Sequence, residues 1–186
     1  GVTSLVIDPR DNSHYYVGTF SLGIIEFNGT ELGKYYNAFN NPGLNCIIPE
    51  TYTTRIGGMT MNDDGYLWFM NTSVTRPLRC MTPSGNILSF PVNGYNVISN
   101  GFDRLVQARN DKYRFKWILG IRPWENCQGA IYYDGGTPED PNDDESVSFT
   151  TLTDQDGNSY NPKYFNDIAE DKDGNIISNG NNQVLK

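Results

Sequence analysis

Two arginine–proline pairs, Arg76-Pro77 and Arg122-Pro123, stand in polar stretches between short apolar runs, and Trp124 follows the second pair. Tyr52 and Arg55 close a longer connecting stretch of similar character. A guanidinium offers a planar fork of donors, and an indole or phenol offers an apolar face. Arginines and aromatics in loops on a rigid frame therefore suit recognition of acidic or sugar ligands. Arg76, Arg122, Trp124, Arg55 and Tyr52 are the candidate ligand-binding residues on this ground. The competing reading is that the arginines simply pair with nearby Asp and Glu.

Other chemistries find less support. Hydrolysis needs a nucleophile with a base, or two carboxylates facing each other across a pocket. The single histidine, His14, sits beside a turn at the start of a strand-like run, where a solvent-facing side chain is expected. No G-x-S-x-G, phosphate loop or zinc spacing occurs, so no catalytic residue is assigned and the chain is read as non-enzymatic. The aspartate-rich turns fail the register of a calcium loop. With Gly174 at loop position six, positions one and twelve are Ala169 and Gly180; with Gly157 there, they are Leu152 and Lys163. Neither pair supplies the carboxylates that such a loop requires. No metal and no cofactor is expected, and the turns read as hairpins in which Asp and Gly serve backbone conformation. Cys46, Cys80 and Cys127 are far apart and odd in number, which favours free thiols while leaving one disulfide open.

Composition narrows the class. The 186 residues are 37% hydrophobic and 19% charged, yet 13% aromatic, and the mean hydropathy is -0.54. This favours a sheet protein with aromatic cores over a helical or disordered chain. A net charge of -8 with no basic cluster argues against nucleic acid as a partner. No run reaches the roughly 18 apolar residues of a membrane-spanning helix. No signal peptide precedes Val2, and Gly1 reads as a cleavage scar, so the chain is expected to be an excised piece of something longer.

The elements that must carry these residues repeat along the chain. Residues 56–90 contain an apolar run, an Asn62-Asp63-Asp64-Gly65 turn, an aromatic run through Trp68, a polar loop, a short run at 78–81, a Pro83-Ser84-Gly85 turn and a last run ending at Phe90. Such punctuation of short runs by Gly, Asn and Asp predicts four antiparallel strands in one sheet. The pattern recurs around Tyr16, with Asn28-Gly29 as a hairpin signal, around Trp117, and in truncated form around Ile177. These anchors are 52, 49 and 60 residues apart. A period near 50 with four strands per unit points to propeller blades. The prediction is an all-β partial β-propeller in one domain, 2–186, with blades at about 2–36, 55–91, 102–153 and an incomplete 164–186.

Propeller geometry then sorts the loops. The turns after the first and third strand of each blade lie on one face; the loops after the second strand and the connections between blades lie on the other. The second face collects 37–54, 72–77, 91–101, 122–128 and 154–163, including both Arg-Pro pairs. Tyr16, Trp68 and Trp117 are expected to be blade core.

Several segments resemble the two-component regulator propeller repeat. These are Val17-Gly18-Thr19 with Gly23-Ile24-Ile25-Glu26-Phe27, then Asp64-Gly65-Tyr66-Leu67-Trp68, and Ile168-Ala169-Glu170-Asp171-Lys172-Asp173-Gly174-Asn175. Trp68-Phe69-Met70-Asn71 with Arg76-Pro77-Leu78, and the stretch 149–158, are similar to the PorZ-type family of type IX secretion proteins of Bacteroidetes. The resemblance implies three to four blades of a seven- or eight-bladed ring. It implies an extracytoplasmic recognition or sensor module, periplasmic or at the cell surface, with an oligosaccharide or lipopolysaccharide ligand. The alternatives are a protein-interaction scaffold of a secretion complex and, behind it, a glycan hydrolase or lyase. Three and a half blades would also leave apolar end faces, so a homodimer or the missing blades of a parent protein are the expected partners.

Overall fold

The computed structural model describes residues 1–51, 53–94, 103–107, 115–120, 129–135, 137–154, 156–160, 167–171, 173, 176–180 and 183–185. They form an all-β chain in two compact units, Gly1–Pro91 and Val92–Lys186. Among the described residues no helix is long and apolar enough to cross a membrane.

The first unit holds two four-stranded antiparallel meanders. One is β1 (Val2–Asp8), β2 (Asp11–Thr19), β3 (Ile24–Asn28) and β4 (Glu31–Tyr36); the other is β5 (Ile56–Met61), β6 (Leu67–Asn71), β7 (Leu78–Met81) and β8 (Ile87–Phe90). Strand follows strand in spatial order, as expected where tight turns join neighbours. At the end of β3 the turn sits one residue later than the Asn28-Gly29 signal implies. Asn28 pairs with Glu31, which leaves Gly29 and Thr30 as the loop, with Gly29 at φ 59°. The turn after β5 closes on Asn62, whose carbonyl accepts from Gly65 N at 3.0 Å and whose side chain accepts from Tyr66 N at 2.8 Å. Gly65 has φ 87°, and a Cβ there would stand 2.0 Å from the Arg10 guanidinium, which donates to Asp64 O at 3.2 Å. Only glycine meets both demands.

The two sheets of this unit bury a shared core between them, composed of Tyr16, Ile24, Tyr36, Leu44, Ile56, Met59, Leu67, Phe69 and Met81. Trp68 points the other way from Phe69, is fully buried, and stands 4.9 Å from the Phe90 ring. The sheets are also tied at one end by main-chain bonds, Gly23 N to Thr54 O at 2.9 Å and Thr54 N to Ser21 O at 3.1 Å.

The second unit holds β9 (Asp103–Gln107), β10 (Lys116–Gly120), β11 (Gly129–Tyr133) and β12 (Glu145–Phe149) as a third meander. A short hairpin, β13 (Leu152–Thr153) and β14 (Ser159–Tyr160), precedes a three-stranded sheet of β15 (Asp167–Glu170), β16 (Ile176–Gly180) and β17 (Gln183–Leu185). The hairpin turn is held by its own aspartate: Asp154 accepts from Asp156 N and Asn158 N at 2.9 Å each and from Tyr160 OH at 2.8 Å.

The repeat anchors occupy equivalent places. Tyr16, Trp68, Trp117 and Ile177 each lie three residues before the last residue of the second strand of their sheet, which is Thr19, Asn71, Gly120 and Gly180 respectively. Tyr16 and Trp68 are buried as expected, whereas Trp117 is only half-buried. Its neighbours Lys116, Ile118 and Leu119 on β10 are fully buried.

Candidate functional site

The end of the first unit that carries the β2–β3 loop, the β4–β5 connection and the β6–β7 loop is organised by Asn71. This last residue of β6 has no exposed surface. Its side-chain oxygen accepts from Asn45 N at 2.8 Å, and its amide donates to Asn45 O and to Arg55 O, both at 3.2 Å. Thr72 N adds a bond to Arg55 O at 3.0 Å. One buried amide thus fixes two points of the β4–β5 connection, Asn45 and Arg55, against the strand end, because the main-chain groups there find their partners on it.

Arg79 enters this end from β7. It pairs with Phe69 across the sheet and, like Phe69, faces the first sheet. It is 4% exposed. Its Nη2 donates to Asn45 Oδ1 at 2.5 Å, while its Nε has no acceptor. No carboxylate among the described residues pairs with it. Burial, with the nearby Arg76 charge, lowers its pKa to about 10, which still leaves it protonated at neutral pH. A buried cation without an opposite charge carries a desolvation penalty that a single amide oxygen does not offset.

Arg76 is exposed at the tip of the β6–β7 loop, with φ 55°; Ser73 in the same loop has φ 65°. Both are non-glycine residues in the left-handed region, a conformation that costs of order 1 kcal/mol or more and clusters at ligand-contacting segments. Among the described residues no carboxylate pairs with Arg76, so the competing reading of a local ion pair finds no partner there. Arg55 is half-buried, and its guanidinium lies 4.0 Å above the Phe20 ring while Nε donates to Phe20 O at 3.4 Å. Burial lowers its pKa. Around these arginines the loops leave apolar groups in solvent: Phe39 is 74% exposed and Leu22 55%. Tyr52, Arg122 and Trp124 lie outside the described residues. Of the five sequence candidates the structure therefore places Arg55 and Arg76 at one end of the first unit.

Arg79, Asn45 and Asn71 were missed. The signal for Arg79 was present in Leu78-Arg79-Cys80-Met81, a charged residue inside an otherwise apolar strand.

The expectation for His14 is corrected. Its side chain is only 17% exposed and bridges two carboxylates, with Nδ1 3.1 Å from Asp8 Oδ2 and Nε2 2.8 Å from Glu26 Oε1. Its neighbour Tyr16 packs edge-on at 4.9 Å. The reason is register: Tyr16 pairs with Glu26, and the alternation of β2 puts His14 on the same inward face. Among the described residues the two ring nitrogens are bonded to these two carboxylates, which makes the arrangement an ion-pair relay within the sheet. Cys46 and Cys80 are not in a disulfide, and Cys127 lies outside the described residues. Among the described residues no group of three His, Cys, Asp or Glu is placed to hold a metal ion.

In the second unit, Phe115, Ile131, Tyr133, Glu145, Ser146 and Val147 line an open, mostly apolar groove of about 340 Å³ on the third meander. Beneath that sheet Lys116 Nζ pairs with Asp134 at 2.7 Å in full burial. The acidic segment before β12 folds back on the same sheet, and Tyr132 donates to Asp144. Burial pushes the Asp144 carboxyl up to about 6 and the Tyr132 phenol well above its usual range.

No family model and no curated protein matches the sequence. Solved structures do. Over 97% of its length the chain superposes on PorZ, a surface component of the type IX secretion system of Porphyromonas gingivalis, with a TM-score of 0.81 at 18% identity. This chain has the propeller fold. It also matches, at a TM-score of 0.52 and 13% identity, the extracellular domain of a hybrid two-component system of B. thetaiotaomicron over 98% of its length. The chain spans about a quarter of either neighbour, 24% of the first and 27% of the second. The PorZ-like and two-component-regulator likeness of the repeats is thus a likeness of fold as well.

Proposed function

We propose that this chain is part of a non-enzymatic, extracytoplasmic propeller module that recognises carbohydrate, either oligosaccharide or lipopolysaccharide, through the loop end of its first unit. The observation that carries the reading is Arg76, exposed in left-handed conformation in the β6–β7 loop with no acidic partner among the described residues, close to Arg79 and on the same end as the Arg55–Phe20 stack. Exposed aromatic faces bind sugar rings by apolar contact, and guanidinium groups bind their acidic substituents. Surface and extracellular location is supported by the two neighbours, both of which come from such proteins.

A glycan array probed with the 186-residue chain tests this, followed by titration of any hit. Arg76→Ala is expected to weaken binding with the fold intact, and His14→Ala to leave binding unchanged. Titration heats unchanged in Arg76→Ala would remove this loop from the site. A second reading, a scaffold for protein partners, is favoured by the exposed Leu5, Ile7 and Leu32 on the outer face of the first sheet. It predicts capture of protein and no glycan signal.

A further inference from the structure

The first unit contains a buried cation, Arg79, that pairs with no carboxylate among the described residues, and the side chain that accepts from it is one that can rotate away. Arg79 is 4% exposed, and among the described residues it donates only to Asn45, whose exposed side chain makes no other hydrogen bond among them. Asn45 is fixed through its main chain instead, N to Asn71 Oδ1 and O from Asn71 Nδ2, so its side chain can rotate without disturbing the loop. In a guanidinium, Nε–H and one terminal nitrogen form a side-on fork matched to two oxygens of one anion. Here Asn45 Oδ1 accepts from the terminal nitrogen, and Nε makes no hydrogen bond among the described residues. A neutral amide oxygen stands where an anionic oxygen would bind more strongly.

We propose that Arg79, Asn45 and Arg76 form a binding site for an oxyanion, the carboxylate or phosphoryl group of a ligand. One oxygen replaces Asn45 Oδ1 at Nη2 and a second takes Nε. The freed Asn45 amide turns to donate through Nδ2, and Arg76 closes the outer side as a second positive charge. The site stands on the chemistry of these side chains and holds whether or not the ligand is a glycan. Sequence alone supplies the cations but not their partner, because Asn45 and Arg79 are 34 positions apart.

The test is thermal unfolding of the whole chain in chloride against inorganic phosphate and against glucuronate, all at matched ionic strength, with neutral glucose as control. The wild type is expected to gain stability saturably with one or both anions and not with glucose. A response to phosphate alone assigns a phosphoryl group, and one to glucuronate alone a carboxylate; either supports the site. Arg79→Met removes the cation and is expected to abolish the response. Arg76→Ala is expected to weaken apparent affinity about tenfold, in line with loss of one charge-assisted bond. The decisive variant is Asn45→Asp. It supplies the missing carboxylate from within, so it is expected to melt higher than wild type and to lose the anion response, and it stays informative if Arg79→Met does not fold. The proposal is overturned if no anion shifts the wild type, if Arg79→Met responds as wild type does, or if Asn45→Asp melts no higher than wild type.

Discussion

His14 Nε2 lies 2.8 Å from Glu26 Oε1, and the opposite ring nitrogen lies 3.1 Å from Asp8 Oδ2. Burial on its own would lower the histidine pKa, but hydrogen bonds and charge from Glu26 and Asp8 outweigh it, and the net shift is upward. Arg10 and Asp11 at the turn, Tyr16 on β2, Tyr36 on β4 and Asp64 on the facing turn are the other charged and titratable groups around the cluster among the described residues. A folded-state pKa above the unfolded one means that the contribution is fully present below the ordinary histidine value and is lost as pH rises through the raised one. Asp8 behaves oppositely. Its hydrogen bonds from Arg10 hold it far below the usual carboxylate range, so its contribution exists above that range and is lost as pH falls through the depressed value. The unfolding midpoint of the first unit should therefore decline on both sides of mildly acidic pH. In His14→Gln the alkaline decline should flatten while the acid one remains. A His14→Gln profile parallel to wild type above neutral pH would refute the relay.

Trp68 is fully buried against Phe90 and pairs with Cys80 across the sheet. Replacing it with alanine removes the indole and leaves a cavity that the surrounding strands fill only in part, at a cost of about 3–5 kcal/mol. Denaturant titration by far-ultraviolet circular dichroism measures this. A melting temperature within about two degrees of wild type would contradict the assignment, since a loss of that size shifts a domain of this length by several degrees.

Asp144 gives the second unit a pH dependence of the other kind. Its Oδ1 is buried without a partner, and burial raises its pKa to about 6 despite the bond from Tyr132. The folded state then binds a proton more tightly than the unfolded one, so stability falls as pH rises from the ordinary carboxylate value through about 6. Asp144→Asn cannot ionise and should remove this decline, making the variant more stable than wild type above that pH. Calorimetry at pH 4.5 and 7.5 checks it. Equal differences between variant and wild type at both would mean that the carboxyl ionises as freely in the fold as outside it.

The fold was legible because its signals are local and repeated. Tyr16, Trp68, Trp117 and Ile177 read as one position of one unit, and in the structure they are the same position of the second strand. The site was legible only in part because its decisive contacts are long-range. Arg55 and Arg76 announce themselves as loop cations, yet the capture of Arg79 by Asn45 and the three-way bonding of Asn71 depend on which loops meet at the strand ends. His14 shows the same limit. Its neighbours in sequence say turn, whereas its neighbours across the sheet are carboxylates, and a one-residue shift of register would have put it in solvent.

The outer face of the first sheet carries two apolar rows. Register places Leu5, Val17, Ile25 and Tyr35 in one, and Ile7, Tyr15, Phe27 and Leu32 in the other. Leu5 is 58% exposed, Ile7 49% and Leu32 67%. Single exposed leucines are ordinary, but a contiguous sheet face of this composition is a surface that association buries. In a longer propeller a neighbouring blade would cover it. On its own, the 186-residue chain should self-associate, and Leu5→Glu with Leu32→Glu should weaken that association without loss of sheet content, because both side chains point into solvent. Sedimentation equilibrium at micromolar concentration decides the matter. A stable, unaggregated species of 20.9 kDa in the wild type would mean that this face does not act as an association surface in the isolated chain.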